Sequence, residues 1–254
     1  MPRYFLEVSY KGTHYSGFQV QQNANTIQAE VEKAMKVLLR KEVVLTGSSR
    51  TDAGVHALQN YFHFDIAEAF VETDEITESK LVYKLNAVLP ADIAVKRVIP
   101  VEDEAHCRFD AVSREYKYYI YQQKNAFLDD RAWYFPYKLD LELMQQAAAA
   151  IINYTDFTSF SKRNTQVKTF NCRVQQSQWE FTDSCIYYHV KADRFLRGMV
   201  RALTATMLKV GRKRISLEQF KEIIEANDCT QASFAAPARG LFLVAVEYPD
   251  RLGI

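Results

Sequence analysis

The sequence predicts an α+β fold, and three observations carry that prediction. Segments with two-residue alternation and segments with helical periodicity both recur along the 254 residues. They do not follow one another in a strict strand–helix–strand repeat. No glycine-rich phosphate loop of the kind that opens a doubly wound parallel sheet is present. The elements group into two mixed α/β halves with antiparallel-rich sheets around one cleft, residues 1–105 and 106–254, although no internal sequence repeat relates them.

The first half reads strand, helix, strand, strand, helix, strand. Tyr4, Leu6, Val8 and Tyr10 alternate with Phe5, Glu7 and Ser9, a strand with one face well buried. After the loop "YKGTHYSGFQVQQNAN", Asn25 is placed to cap a helix with Gln28 three residues on. Ile27, Val31, Met35 and Leu38 form its apolar stripe. "EVVLTG" is a short strand, and Leu58, Asn60, Phe62 and Phe64 share one face of a longer one. A helix from near Asp74 to Val88, stopped by Pro90, leads into the strand "IAVKRVI".

In the second half "AVSREYKYYIYQ" is a strand with Val112, Arg114, Tyr116, Tyr118 and Ile120 on one face. "LDLELMQQAAAAIIN" is a helix, and "VKTFNCRVQQSQWEF" and "SCIYYHVKAD" are neighbouring strands. "RFLRGMVRALTATMLKV" has the pattern of an amphipathic helix ending at Gly211. "SLEQFKEIIEAN" opens on the capping box Ser216 to Gln219, and "GLFLVAVEY" closes the chain as a strand.

Composition narrows the function classes. With 48% hydrophobic and 25% charged residues the chain is globular and not disordered. No apolar run approaches a membrane span and the start reads as a strand, so a soluble, intracellular protein is expected. The four cysteines are scattered without a C-x-x-C pair, which favours neither a disulfide framework nor a cysteine zinc site. Net charge is +1, but its distribution is uneven: acids crowd into 68–79, while bases gather in "SREYK", "FSKRN", "DRFLRGMVR" and "KVGRKR". Such patches permit binding of a polyanion along one surface.

Three constellations could carry chemistry. In "SSRTDAGVHA" (48–57), Asp52 is either a turn-forming residue beside Gly54 or a carboxylate nucleophile or base on a constrained loop. Arg194, Arg197 and Arg201 fall at i, i+3 and i+7. They form either a solvated basic face or a set in which Arg194 and Arg197 meet phosphates while Arg201 pairs with a buried carboxylate. In "REYKYYIY", the tyrosines are core residues, or one at the open end of the strand, between Arg114 and Lys117, stacks on a base. The runs "SKRN" and "GRKR" are weaker signals, the second lying at a helix C-terminus where positive charge is favourable anyway. His14, His56, His63, His106 and His189 show no metal-ligand spacing, so a metal-free site is expected.

Taken together, "SSRTDAGVHA", "FDAVSREYKYYIY", "DFTSFSKRN", "ADRFLRGMVRALTATMLKVG" and "FAAPARGLFLVAVEYP" resemble the pseudouridine synthase I family of tRNA pseudouridine synthases. The blocks occur in order over nearly the whole chain. The resemblance implies that Asp52 is the catalytic nucleophile, that Tyr116 stacks on the target uracil, and that Arg201 partners the catalytic carboxylate. It implies that Arg50 helps admit and hold the flipped nucleotide and that Leu243 forms an apolar wall of the uracil pocket. Arg114, Arg194 and Arg197 are then candidate RNA contacts. Also implied are two α+β domains whose sheets join across a central catalytic cleft, a homodimer, and a cytoplasmic tRNA substrate modified at positions 38–40 of the anticodon stem-loop. Ser49, Lys11, Phe18 and Ala205 depart from the residues common in the family, but none is the nucleophile or its partner.

The chemistry suits the residues. Converting uridine to pseudouridine breaks the C1′–N1 bond, turns the base and joins C1′ to C5, with nothing oxidised and no group lost. No redox cofactor or activated donor is required. A carboxylate is needed, as at C1 in glycosidases, together with a base for the C5 proton, for which Tyr116 is the candidate. Two rivals remain open: a non-catalytic tRNA-binding protein, and a nucleoside hydrolase that would release free uracil.

Overall fold

The computed structural model describes residues 1–66, 77–163 and 167–254. Among them are nine β-strands and five α-helices, the α+β class the sequence predicts. The chain forms two compact units, Met1–Val112 with Leu243–Ile254, and Ser113–Phe242. This differs from a single division near residue 105. The last strand, β9 (Leu241–Glu247), begins in the second unit and ends in the first. Its end is tied there: Val112 N donates to Glu247 O at 2.8 Å, and Val246 N donates to Gln59 Oε1 at 3.0 Å. A strand separated from its unit by the whole of the other leaves no mark in local periodicity.

In the first unit β1 (Arg3–Tyr10) lies between β3 (His56–Asp65) and β4 (Ile93–Val101), antiparallel to both. Leu6 pairs with Phe62 on one side and Val98 on the other. The two-residue β2 (Thr46–Gly47) pairs with β3, so "EVVLTG" contributes only its last residues. Burial is two-sided where alternation predicts one side. Phe5 and Glu7 are buried together with Leu6 and Val8, and Tyr61 and His63 together with Phe62 and Phe64, while Leu58 is exposed. Glu7 is tolerated inside because Arg97 Nε sits 2.6 Å from its Oε2. Helix α1 (Ile27–Leu39) is capped by Thr26 rather than Asn25, with Thr26 Oγ1 accepting from Ala29 N. Gln28 is used elsewhere, its Oε1 accepting from Val20 N and its Nε2 donating to Leu45 O. Helix α2 (Glu78–Val88) is capped by Thr77. The earlier start near Asp74 and most of the acidic run 68–79 lie outside the described residues.

In the second unit β5 (Ser113–Tyr121), β8 (Ile186–Ala192) and β7 (Val174–Phe181) run antiparallel in that order, and the short β6 (Trp133–Tyr134) pairs parallel with β5. Residues 167–173, expected as the start of β7, instead form an irregular approach with one bridge, Asp156 to Asn171. Helices α3 (Leu141–Ile151), α4 (Met199–Gly211) and α5 (Leu217–Glu225) pack together, and α5 carries the complete Ser216–Gln219 capping box.

The sequence places a helix from Arg194, but α4 begins only at Met199 because Gly198 stands before it at φ 79°, left-handed backbone that a helix cannot contain. Nor is α4 amphipathic. All its residues except Arg201 and Lys209 are buried. Thr204 and Thr206 fit because their hydroxyls donate to Val200 O and Ala202 O, both at 2.8 Å. No helix among the described residues is long and apolar enough to cross a membrane.

Candidate functional site

Asp52 sits in a loop between β2 and β3 whose backbone is fixed at several points. Its carbonyl accepts from Val55 N at 3.1 Å, and Gly54 holds φ +77° at the third position of that turn, the conformation a type II turn requires there. The segment "YKGTHYSGF" packs against this turn. Phe18 N donates to Thr51 O at 3.1 Å, and Tyr10 Oη lies 2.8 Å from Thr51 Oγ1. Asn60, buried on β3, donates to Ser49 O and Tyr10 Oη and accepts from Ser49 N, so one amide secures both ends of the arrangement. A Cβ on Gly12 would stand 2.0 Å from Val55 O, and one on Gly17 (φ +113°) 3.2 Å from Thr51 O. Only glycine admits these approaches.

Phe18, one of the departures from the family pattern, is well packed. It is buried, stacked 4.5 Å from Phe62, and its ring fills the space a side chain on Gly47 would need. The result is a half-buried Asp52 on a rigid turn, beside an exposed Arg50 and above buried Ser49 and Thr51. Leu243, also in the first unit, is fully buried on β9.

The second unit holds the other candidates. Tyr116 is half-buried on β5, its ring edge-on to Phe195 at 5.0 Å and 84°. Arg114, two residues back on the same face, donates from Nη1 to Asp193 O at 3.0 Å. Asp193 Oδ1 in turn accepts from Arg194 N at 2.6 Å and Arg173 N at 2.8 Å. Asp193 thus receives the Arg114 guanidinium on its backbone carbonyl and the Arg194 backbone N–H on its carboxylate. Arg194 and Arg197 do not share a helix face with Arg201, because both precede Gly198; the Arg197 carbonyl accepts from Lys162 N at 3.0 Å. Arg201 is on α4, and its Nε donates to Ala236 O at 2.7 Å. The next carbonyl, Pro237 O, accepts from Tyr118 Oη at 2.7 Å. Burial pushes the Tyr118 phenol far up, while the Arg201 and Arg239 guanidinium groups oppose it, which puts both cations within electrostatic reach of the ring.

The sequence pattern places Tyr118 on the face of its strand with Tyr116 and Phe195 in a buried stripe with Met199, Leu203 and Met207, giving neither a role at the site, and it does not single out Arg239. The motif "FAAPARG" that supplies Ala236, Pro237 and Arg239 was the available signal. Arg163 of "SKRN" is described, whereas Asn164 lies outside the described residues. In "GRKR", Arg212 stacks 3.8 Å over the Tyr137 ring and Lys213 pairs with Asp140 at 3.0 Å, so both close the end of α4.

A further cluster escapes any spacing rule because β3 and the turn after β4 supply it separately. His63, His106 and Cys107 bring their donor atoms within 4.8 Å of one another. These atoms are engaged within the protein: His106 Nδ1 accepts from Arg108 N at 3.1 Å, Cys107 Sγ donates to Thr46 O at 3.1 Å, and His63 Nδ1 is 3.3 Å from Cys107 Sγ. Burial lowers His63 to about 4, with His106 and Arg3 acting in the same direction, and keeps it neutral. A cation here would have to displace the bonds that fold the 105–110 turn.

Comparison with known proteins agrees with the family resemblance. A family model described as tRNA pseudouridine synthase matches residues 7–110 and 147–249, which include Arg50, Asp52, Arg201 and Leu243 but not β5 with Tyr116. The tRNA pseudouridine synthase A of Parabacteroides distasonis is 44% identical over 252 residues, covering 99% of this chain and 98% of that protein. Those of Bacteroides fragilis (43%; 98% of each chain) and Staphylococcus saprophyticus (40%; 95% of this chain and 89% of that one) are similar over nearly the same span. The chain belongs to the tRNA pseudouridine synthase family.

Proposed function

We propose that this isomerase converts uridine to pseudouridine at positions 38–40 of the tRNA anticodon stem-loop, with Asp52 as the nucleophile. The observation that carries the reading is the turn around Asp52. Three glycines, Gly12, Gly17 and Gly54, and the Asn60 amide hold this carboxylate's backbone in place where a merely structural turn would need one glycine at most. Tyr116, its ring packed edge-on to Phe195, offers an aromatic surface for the extruded uracil, and Arg201 supplies the cation that keeps a carboxylate ionised. Leu243 closes the pocket on its apolar side, Arg50 admits the flipped nucleotide, and Arg114, Arg194 and Arg197 meet phosphates. The enzyme works in the cytoplasm as a homodimer of this chain.

Tritium release from tRNA carrying 5-tritiated uridine tests the nucleophile. Wild type should release tritium, and Asp52→Asn should fall by about 10⁴-fold or more with the melting temperature kept. Equal release by the variant would remove Asp52 from the chemistry. Placing the label only at positions 38–40, and then only elsewhere, tests the region.

A further inference from the structure

The segment 233–240, which leads into β9, is held by side chains from two other elements of the second unit. Its first part, 233–237, belongs to neither helix nor strand. From α4, Thr206 Oγ1 accepts from Ser233 N at 3.0 Å, and Arg201 Nε donates to Ala236 O at 2.7 Å. From β5, Tyr118 Oη donates to Pro237 O at 2.7 Å. Gly240 lies against the same ring: a Cβ there would stand 2.7 Å from Tyr118 Cζ and 2.8 Å from Tyr119 O. Two consecutive carbonyls are thus divided between Arg201 and a tyrosine to which no role has been given.

The two carbonyls are stiffly linked. Only φ and ψ of residue 237 separate them across planar peptide units, and the proline ring locks that φ, here −66°. A constraint on Pro237 O is therefore carried to Ala236 O. Tyr118 is well placed to impose it. The residue is fully buried, and its ring meets Trp133 edge-on at 6.4 Å and 84°. Burial pushes its phenol far up, so the hydroxyl remains a donor wherever the enzyme works. A guanidinium is planar, so docking Nε–H on one carbonyl sets its plane and hence the directions of its two Nη groups.

We propose that Tyr118 is a positioning residue for the isomerisation: through Pro237 O it fixes the carbonyl on which Arg201 docks, and so aims the Arg201 guanidinium. The inference rests on the reading of Arg201 as the partner of the catalytic carboxylate.

Tyr118→Phe removes the one oxygen and keeps the ring. In tritium release by the full chain, its kcat should fall about tenfold with KM unchanged. In an Arg201→Ala background, followed under single-turnover conditions, the same substitution should lower the rate no further, because nothing is left to aim. Hydrogen exchange should quicken in 233–240 and stay as in wild type elsewhere in the second unit. Pro237→Ala keeps the carbonyl but frees φ, and should lower kcat several-fold with the same dependence on Arg201; it decides the matter if Tyr118→Phe does not fold. Wild-type kcat in both variants would overturn the proposal. So would a loss that persists undiminished in the Arg201→Ala background, which would place the effect at Tyr116 or in general packing, and so would faster exchange throughout the unit. Failure of the underlying reading is distinct: Arg201→Ala would itself keep the wild-type kcat, and the inference would fall with it.

Discussion

The loop that carries Asp52 and the segment that carries Arg194, Arg197 and Arg201 are built by opposite means. Around Asp52 position is set by backbone against backbone: Gly12 against Val55, Gly17 against Thr51, and a turn whose left-handed residue is Gly54. Side-chain bonds through Asn60, Tyr10 and Thr51, uncharged and buried, add to this. In the second unit the guanidinium groups are positioned by their own hydrogen bonds, Arg114 to Asp193 O and Arg201 to Ala236 O. The first arrangement tolerates changes of charge in its surroundings but not of volume, and the second the reverse. A side chain carried by backbone that cannot adjust stays at one place, while arginines held by single hydrogen bonds keep some rotamer freedom.

Arg201 gives the largest effect by which this contrast can be broken. Arg201→Ala should lower kcat at least about a hundredfold while the fold survives, with the Ala236 carbonyl losing its donor. That loss costs about 1 kcal/mol, readable as a small drop in melting temperature. Arg201→Lys keeps the charge but cannot provide the Nε–H, and should recover less than a tenth of the activity, about 1.4 kcal/mol short of wild type. Full activity of the lysine variant would mean that charge alone suffices there, and the argument from directed hydrogen bonding would fail for that residue.

Gly12→Ala probes the other side. The added methyl meets a backbone carbonyl that no rotamer change can move, so destabilisation of about 2 kcal/mol is expected, with loss of activity because the displaced atom, Val55 O, belongs to the residue that closes the Asp52 turn. Urea unfolding followed beside tritium release measures both. Unchanged stability and rate would show that the turn yields, which is what the comparison denies.

These contrasts also explain what could be read in advance. The class, most elements and the Asp52 motif were legible because periodicity, caps and a glycine-marked turn are local. The helix from Arg194 was misread because hydrophobic spacing continues through Gly198, whose positive φ breaks the helix without breaking the pattern. Asn25 lost the cap to Thr26 by one position, a choice between two residues of nearly equal capping ability. One-sided burial failed for β1 and β3 because both lie inside a sheet covered on two faces: Phe5 meets Tyr61 and Tyr248 there at 6.3 and 5.3 Å. Long-range pairings such as Tyr248 with Cys107, or the convergence of His63 with Cys107, had no signal within either segment alone.

The smallest effect concerns the second unit's reliance on charge. On β7 and β8, Glu180 accepts from Tyr187 Oη and from Gln178 Nε2, and its Oε1 lies 2.7 Å from His189 Nδ1, while His189 Nε2 lies 2.6 Å from Glu115. Partial burial pushes Glu180 up, but the hydrogen bonds from Tyr187, Gln178 and His189 together outweigh it and bring it down to about 2. A carboxyl whose folded value lies below its unfolded one stabilises the fold above the unfolded value of 4.5, and that contribution is lost as pH falls from there towards 2. With the side chain 32% exposed, solvent screening reduces the contribution to about 1 kcal/mol. Glu180→Gln retains an acceptor for Tyr187 but cannot titrate, so its stability between pH 4.5 and 2 should fall less steeply than that of wild type, with the curves converging at the acid end. Parallel acid limbs would mean that the network on this sheet face is set by packing, like the Asp52 turn, and not by charge.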